Sequence, residues 1–262
     1  MTLAQVREII RQAQKLGTVD WVYLEGGEPF LYYPLMVRAA QEAGLDAIAI
    51  TDHLVAPANF GRPQLVRDEL PNDLEGLRVY VGGEADMHAP DKPTISREYA
   101  AGLDLVVMSA SHLHNIDTQL LEMEPREMAA FVLNLMDGAI ETGYVDVIPH
   151  AFHVPNCRRS FGEIVEAVDS NRLRETLAKA AVAGVAMEVN PFFLKAQPEQ
   201  ATWLFQLFLE IGCKVTISSD AHHPRHIGCR GDRFASEAEL RAVGIGEEHL
   251  FDIEERSRRP VE

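Results

Sequence analysis

Short apolar runs and amphipathic segments alternate along most of the chain. Apolar residues at helical spacing predict helices over 2–16, 31–43, 123–142, 171–183 and 198–211. Seven runs have the length and the turn-forming borders of β-strands: VDWVYLE (19–25), DAIAITDH (46–53), RVYVGGEAD (78–86), LDLVVMSASH (103–112), VDVIPH (145–150), VAMEVN (185–190) and KVTISSDAH (214–222). Apolar strands between amphipathic helices indicate the α/β class, with a parallel sheet covered by helices. Seven strands fit a closed or distorted β/α barrel better than an open sheet.

The composition is that of one globular domain. The chain has 262 residues, 47% of them hydrophobic, and no repeat or linker divides it, so a single domain over 1–262 is expected. A formal net charge of -16 argues against nucleic acid or an anionic membrane surface as the main partner, because both would repel the chain. The cysteines (Cys157, Cys213 and Cys229) form no close pair and follow no signal peptide, which predicts a cytoplasmic protein. No apolar run approaches the roughly 20 residues of a membrane-spanning helix.

Ionisable side chains gather where the predicted strands end. The residues at these ends are Asp52, His53, Glu84, Asp86, His112, His150, Glu188, Asn190, Asp220 and His222. In β/α barrels the carboxyl ends of the strands converge on one mouth, so these side chains are expected to face a common space. All the histidines except His249 lie at or near such an end. Four of them fit an ordinary surface or hydrogen-bonded role when each is taken singly: His88, His153, His223 and His226.

This concentration of imidazoles and carboxylates predicts a metal centre. Crowded in one mouth, these groups require a positive charge among them, and a metal ion supplies it. Mixed His, Asp and Glu ligands without thiolates suit Zn²⁺, Mn²⁺ or Fe²⁺, whereas Ca²⁺ and Mg²⁺ prefer oxygen ligands.

Six sequence motifs, taken in order, resemble those of a known protein family. AIAITDH, GGEAD, SASH, DVIPH, MEVN and SSDAHH, in this order, resemble the successive motifs of the PHP (polymerase and histidinol phosphatase) family over residues 36–232. The resemblance implies a distorted (β/α)₇ TIM-like barrel of the PHP type, whose mouth holds metal ions and hydrolyses phosphoesters. One to three Zn, Mn or Fe ions are therefore expected.

The resemblance also implies the metal ligands. One site would consist of Glu84, His112 and His150. The ligands implied for further sites are His53 and His222 for a second, and Glu84 with Asp220 for a third. In SASHLH, His114 is an alternative to His112.

The first 35 residues depart from the family pattern. PHP proteins normally begin with a strand that ends in H-x-H, and no histidine precedes His53. The segment VDWVYLEGGEPFLYYP instead resembles the G-G-E-P region of radical S-adenosylmethionine enzymes. Their C-x-x-x-C-x-x-C motif is absent, since the first cysteine is Cys157, so neither S-adenosylmethionine nor an iron–sulfur cluster is expected. Two interpretations stay open: residues 1–35 are an atypical helix–strand unit that merely closes the barrel, or Glu25 or Glu28 replaces the missing histidine ligands.

The predicted reaction is metal-dependent hydrolysis of a small phosphorylated substrate. Adjacent metal ions acidify a bridging water and neutralise a bound phosphate, and arginines offer forked donors to that phosphate. The residues assigned to this chemistry are, as catalytic groups, Asp52, Asp220 and His222; as support behind the ligands, Glu188 and Asn190; and as phosphate donors, Arg158, Arg225 and Arg230. Two other functions stay open: a catalytically impaired PHP-like metal-binding or regulatory module, and a metal-dependent C–N hydrolase.

Overall fold

The computed structural model describes residues 33–72, 74, 76–113, 122–155, 157–222 and 224–256. The predicted helix over 2–16 and the predicted strand over 19–25 lie outside these residues.

The described strands form a mainly parallel sheet. They are β1 (Ala47–Ile50), β2 (Arg78–Val81), β3 (Gly83–Ala89), β4 (Lys92–Pro93), β5 (Val106–Ser109), β6 (Val147–Ile148), β7 (Ala186–Val189) and β8 (Val215–Ile217). The order of the larger sheet is β4-β3-β5-β6-β7-β8, and β1 pairs with β2. Every pair is parallel except β3 with β4. A bridge between His53 and Glu84 continues the chain after β1 along β3, so β1 is joined to the larger sheet.

The predicted α/β class is confirmed. Six of the seven predicted strands are present, and the run over 78–86 is divided at Gly82 into β2 and β3. Within the described part of the chain, no pairing joins β8 to β1, so closure of the barrel stays a prediction.

All the described helices except the last cover the outer face of the sheet; the last begins at Ile253, which packs against a small apolar cluster on the opposite face. They are α1 (Tyr33–Glu42), α2 (Arg62–Glu69), α3 (Arg97–Ala100), α4 (Pro125–Glu141), α5 (Phe161–Ala167), α6 (Ser170–Ala183), α7 (Pro191–Ala196), α8 (Pro198–Ile211), α9 (Glu237–Val243) and α10 (Ile253–Arg256). The sequence predicts α1, α4, α6 and α8 to within about two residues at each end. It misses the shorter helices, including α5 and α9, although each of these begins with a Ser-x-x-Glu capping box.

The two faces of the sheet carry different residues, because side chains alternate along a strand. Met108 of β5 and Met187 of β7 belong to the main core beneath the helices. On the opposite face, Val107 and Ala186 belong to a smaller apolar cluster with Phe251. Two residues further along the same face come the polar residues Ser109 and Glu188. The inner face therefore changes from apolar to polar towards the carboxyl ends of the strands, where the candidate site lies.

Aspartates just before β5 and β6 bind the ends of earlier strands. The Asp104 carboxylate, two residues before β5, accepts the Val81 N–H at 2.7 Å. The Asp146 carboxylate, directly before β6, accepts the Val106 N–H at 2.8 Å and is buried. Val81 is the last residue of β2 and Val106 the first residue of β5, so each aspartate satisfies a donor at the end of an earlier strand. This explains why LDL and VDV open these runs.

Substitution of Asp146 by alanine is expected to destabilise the fold. The buried Val106 N–H loses this acceptor, and an unsatisfied buried donor costs about 1–3 kcal/mol. Urea unfolding at neutral pH measures the change. Asp146→Asn is the control, since its amide oxygen can still accept the bond and should recover most of the loss. Equal stability of the alanine variant and the wild type would contradict this account.

Candidate metal centre

A buried carboxylate lies at the centre of the candidate site. Glu84 Oε1 is 3.0 Å from His112 Nδ1 and 3.2 Å from His150 Nε2, and Glu84 Oε2 is 3.6 Å from His53 Nδ1. The four residues follow or lie on β1, β3, β5 and β6, so neighbouring strands assemble the group. We call His53, Glu84, His112 and His150 the histidine–glutamate cluster.

The cluster excludes solvent from its charges. The side chains of His150, His112 and Glu84 are 2%, 8% and 9% exposed. Burial by itself would raise the pKa of Glu84, but the charge and hydrogen bonds of His112 and His150 hold it well below its usual range. Burial by itself would lower the pKa of His150, but the Glu84 carboxylate raises it to about 9. Glu84 is therefore ionised, and its carboxylate can bind a cation.

The donor set fits a divalent metal ion. One ligand atom from each of His53, Glu84 and His112 lies within 4.8 Å of the other two. Imidazole nitrogens and a carboxylate oxygen are ligands that Zn²⁺, Mn²⁺ and Fe²⁺ accept. Within the described residues, this close set contains His53 where the family resemblance implies His150. The His150 ring stacks on that of His112 at 4.2 Å between centroids and contacts the same Glu84 oxygen.

Asp220 and His222 lie at the open side of this cluster. The His222 ring is 6.3 Å from that of His53, and His222 Nδ1 is 3.5 Å from Asp220 Oδ1. The side chains of His222 and Asp220 are 53% and 34% exposed, respectively. The negative charge of Asp220 contributes to raising the pKa values of both His150 and Glu188, so Asp220 interacts electrostatically with these buried residues. This pair is therefore the more accessible part of the site.

Glu188 and Asn190, both assigned as support behind the ligands, have different surroundings. The buried Glu188 carboxylate accepts the backbone N–H of His150. Burial raises the pKa of Glu188 to about 7; His150 opposes this shift and Asp220 adds to it. The Asn190 side chain accepts the Phe192 N–H at 3.0 Å and caps α7. Asn190 therefore serves a local structural role in this arrangement.

Asp52, a predicted catalytic group, is held by residues of α1 and α2. The Tyr33 hydroxyl donates to its carboxylate at 2.6 Å, and an Arg62 nitrogen is 3.6 Å away. Burial and the Asp52 carboxylate raise the pKa of Tyr33. The sequence pattern gives no signal for Tyr33 or Arg62, because both contacts join separate elements. It also gives no role to Ser111, whose hydroxyl oxygen is 3.3 Å from His150 Nδ1.

The predicted phosphate donors make contacts outside the histidine–glutamate cluster. Arg158 pairs with Glu122 at 3.2 Å, and its side chain is 78% exposed. Arg230 donates to the backbone carbonyl of Glu42. Arg225 Nε is 3.2 Å from His226 Nε2, on the turn that follows β8.

Other predicted site residues fall outside the described ranges. These are the ligand candidates Glu25, Glu28 and His114; His223, one of the four histidines that fit an ordinary role, also lies outside these ranges. His153 is described: its ring is 6.2 Å from that of His150 and 5.1 Å from that of Phe193. Burial and the neighbouring histidines His150 and His112 lower the pKa of His153 to about 4, so its imidazole is neutral at physiological pH.

The fold and the cluster together define an α/β protein with a candidate divalent-metal centre at the carboxyl ends of its strands. The chain is 26% identical over 233 residues to a probable histidinol-phosphatase of Deinococcus radiodurans; the match covers 79% of this chain and 85% of that protein. No protein-family model matches the sequence.

Solved structures give weaker matches. One is histidinol phosphate phosphatase from Lactococcus lactis complexed with zinc, L-histidinol and phosphate: identity is 12%, the TM-score is 0.48, and 81% of this chain and 87% of that chain are covered. Another is a chain of archaeal ribonuclease P with mature tRNA: identity is 13%, the TM-score is 0.42, and coverage is 79% and 75%. In the described part of the chain, no helix has the length and apolar character to cross a membrane.

Proposed function

We propose that this chain is a metal-dependent phosphoesterase that hydrolyses a small phosphorylated substrate. The observation that carries the proposal is the buried Glu84 carboxylate contacted by three imidazoles from neighbouring strand ends. The similarity to a probable histidinol-phosphatase supports the predicted reaction class and makes histidinol phosphate the first substrate to test.

The proposal includes the finer architecture. Residues 1–262 form one PHP-like domain, a distorted (β/α)₇ barrel, in which residues 1–35 are an atypical first unit between β8 and β1. Support comes from the parallel order of the described strands and from the inner face that becomes polar towards their carboxyl ends. Glu25 or Glu28 would then lie at the end of the first strand and be available as a further ligand.

His53, Glu84 and His112 would hold a divalent ion, with Zn, Mn and Fe as candidates and one to three ions per chain. A bound ion would acidify water and neutralise charge on the substrate phosphate. Asp220 is the proposed proton acceptor, because it is a partly exposed carboxylate beside the cluster. His222 Nδ1 is 3.5 Å from Asp220 Oδ1 and the His222 ring is 6.3 Å from that of His53, so His222 is proposed to support Asp220 beside the cluster. Arg225, five residues after Asp220, is the proposed donor to the phosphate, since it follows the same strand end.

Removal and return of the metal tests this function. Protein treated with a chelator is expected to release phosphate from histidinol phosphate and from p-nitrophenyl phosphate only after addition of Mn²⁺ or Zn²⁺. The expected gain is roughly 100- to 1,000-fold in rate, since charge stabilisation by a metal contributes several kcal/mol. Phosphate release and ion content per chain are measured on the same samples.

Three results would contradict the proposal. Equal rates with and without metal would exclude a metal-dependent reaction. Tight metal binding without turnover of any phosphoester would favour the binding or regulatory module. Release of an amine or ammonia from amide substrates would favour C–N hydrolysis.

A further inference from the structure

His150 holds its imidazole against Glu84 from a strained backbone. Its φ is +28°, in the left-handed region that residues other than glycine seldom adopt. Such a conformation persists only where the surrounding structure fixes it. The contacts that fix His150 therefore determine where its ring lies.

Three groups hold this residue. The Glu188 carboxylate, from the adjacent strand β7, accepts the His150 backbone N–H. The His150 carbonyl accepts the His153 N–H at 2.9 Å and the Ser111 hydroxyl at 3.3 Å. The Ser111 oxygen is also 3.3 Å from His150 Nδ1, the ring nitrogen opposite the one that contacts Glu84. Backbone and ring are thus fixed together.

We infer that Glu188 is a positioning residue for the metal centre: by accepting the His150 N–H, it holds the left-handed turn that places the His150 imidazole against Glu84. Glu84 contacts every histidine of the histidine–glutamate cluster. A shift of His150 would therefore reorient Glu84, which is one of the proposed metal ligands. Partners that orient ligands in this way typically contribute 10- to 100-fold to metal affinity. This inference rests on the metal centre of the proposed function.

Two variants of Glu188 separate the hydrogen bond from the charge. Glu188→Gln removes the charge but retains an oxygen at the same reach. Glu188→Asp retains the charge but shortens the side chain by one carbon–carbon bond, about 1.5 Å, so its carboxylate no longer reaches the His150 N–H. Glu175→Asp, at an exposed position of α6, is the matched control.

The test measures Mn²⁺ dissociation constants of the metal-free proteins from the electron paramagnetic resonance signal of free Mn²⁺. Thermal unfolding of the same metal-free samples reports stability separately. We expect Glu188→Gln to bind Mn²⁺ within about threefold of the wild type, a difference of under 1 kcal/mol. We expect Glu188→Asp to bind roughly 10- to 100-fold more weakly, and Glu175→Asp to bind like the wild type.

Several outcomes would overturn the inference. Wild-type affinity in Glu188→Asp would show that the hydrogen bond does not position the site. An equal loss in both Glu188 variants would assign the effect to charge, and losses that merely follow the fall in melting temperature would assign it to general stability. Ser111→Ala is the second variant if Glu188→Asp does not fold: it must also weaken Mn²⁺ binding, and unchanged affinity would overturn the inference. Absence of Mn²⁺ binding by the wild type would instead overturn the metal centre itself, and the inference with it.

Discussion

Glu84→Gln is expected to lose tightly bound metal and to reduce phosphate release by roughly 10³-fold. Glutamine has nearly the same shape as glutamate, so the change removes the negative charge and leaves the packing in place. That charge is the one approached by His53, His112 and His150. A neutral amide is a poor ligand for Zn²⁺ or Mn²⁺, and metal catalysis of this kind contributes several kcal/mol to the rate. Each 1.4 kcal/mol corresponds to about a factor of ten.

Elemental mass spectrometry and initial rates on the same preparation measure the effect of Glu84→Gln. Glu141→Gln is the matched control, since Glu141 is exposed at the end of α4 and its substitution should change neither quantity. The circular dichroism spectrum should stay that of the wild type, because the glutamine oxygen still accepts from an imidazole N–H. A Glu84→Gln protein with full metal content and full activity would refute the assignment of the centre.

The sequence predicts the strands better than it predicts the contacts of the side chains between them. Short, mainly apolar runs between turn-forming residues specify the strands, and the residues at their ends specify which groups come to the polar end. The three ligand atoms that lie close together come from His53, Glu84 and His112, not from His150. Which histidine joins Glu84 and His112 depends on the backbone conformation of the turn after each strand, because that conformation sets the position of the ring. For His150 that turn has a left-handed residue, which an apolar pattern does not reveal.

Partners distant in the chain account for the other differences. Asp52 looks available in TDH, but Tyr33, 19 residues earlier, bonds to it in the folded chain. Asn190 directly follows β7, which ends at Val189, and the helix that begins at Pro191 uses the asparagine side chain as its cap. Arg158 and Arg230 follow strand ends, but Arg158 pairs with the acidic side chain of Glu122, and Arg230 donates to the carbonyl oxygen of Glu42 at the end of α1. The position of a residue in the sequence indicates at which end of the sheet it lies, whereas the packing of the loops determines where its side chain points.

Short helices are missed for a related reason. A helix of six or seven residues has fewer than two turns, so its apolar face contains too few positions for a recognisable period. For α5 the reliable signal is the capping box of Ser160 and Glu163. For α7 the signal is Pro191, which marks a start separate from that of the predicted helix α8 at Pro198.

Gly82→Ala is expected to damage both the fold and the metal centre. A Cβ atom at Gly82 would lie 2.5 Å from the backbone oxygen of Leu105 and 3.0 Å from a methyl group of Thr51. The Leu105 oxygen cannot move freely, because it accepts the Gly83 N–H at 3.1 Å and so joins β3 to the chain before β5. Overpacking of this kind costs about 1–3 kcal/mol. Since Glu84 is two residues further on, the displaced backbone would also move the central carboxylate.

The expected result is a melting temperature lower by roughly 2–12 °C, since each kcal/mol shifts a protein of this size by about 2–4 °C. Mn²⁺ affinity should fall by about tenfold or more, a loss of at least 1.4 kcal/mol. Gly61→Ala is the control: among the described residues, no neighbouring atom lies within 4 Å of the place its new methyl group would take, and φ at Gly61 is -81°, which alanine adopts without strain. Loss of stability in Gly82→Ala with unchanged Mn²⁺ affinity would mean that β3 can shift without moving Glu84. The two glycines of GGEAD would then serve the packing of the strand alone, and the position of the carboxylate would depend on its histidine partners.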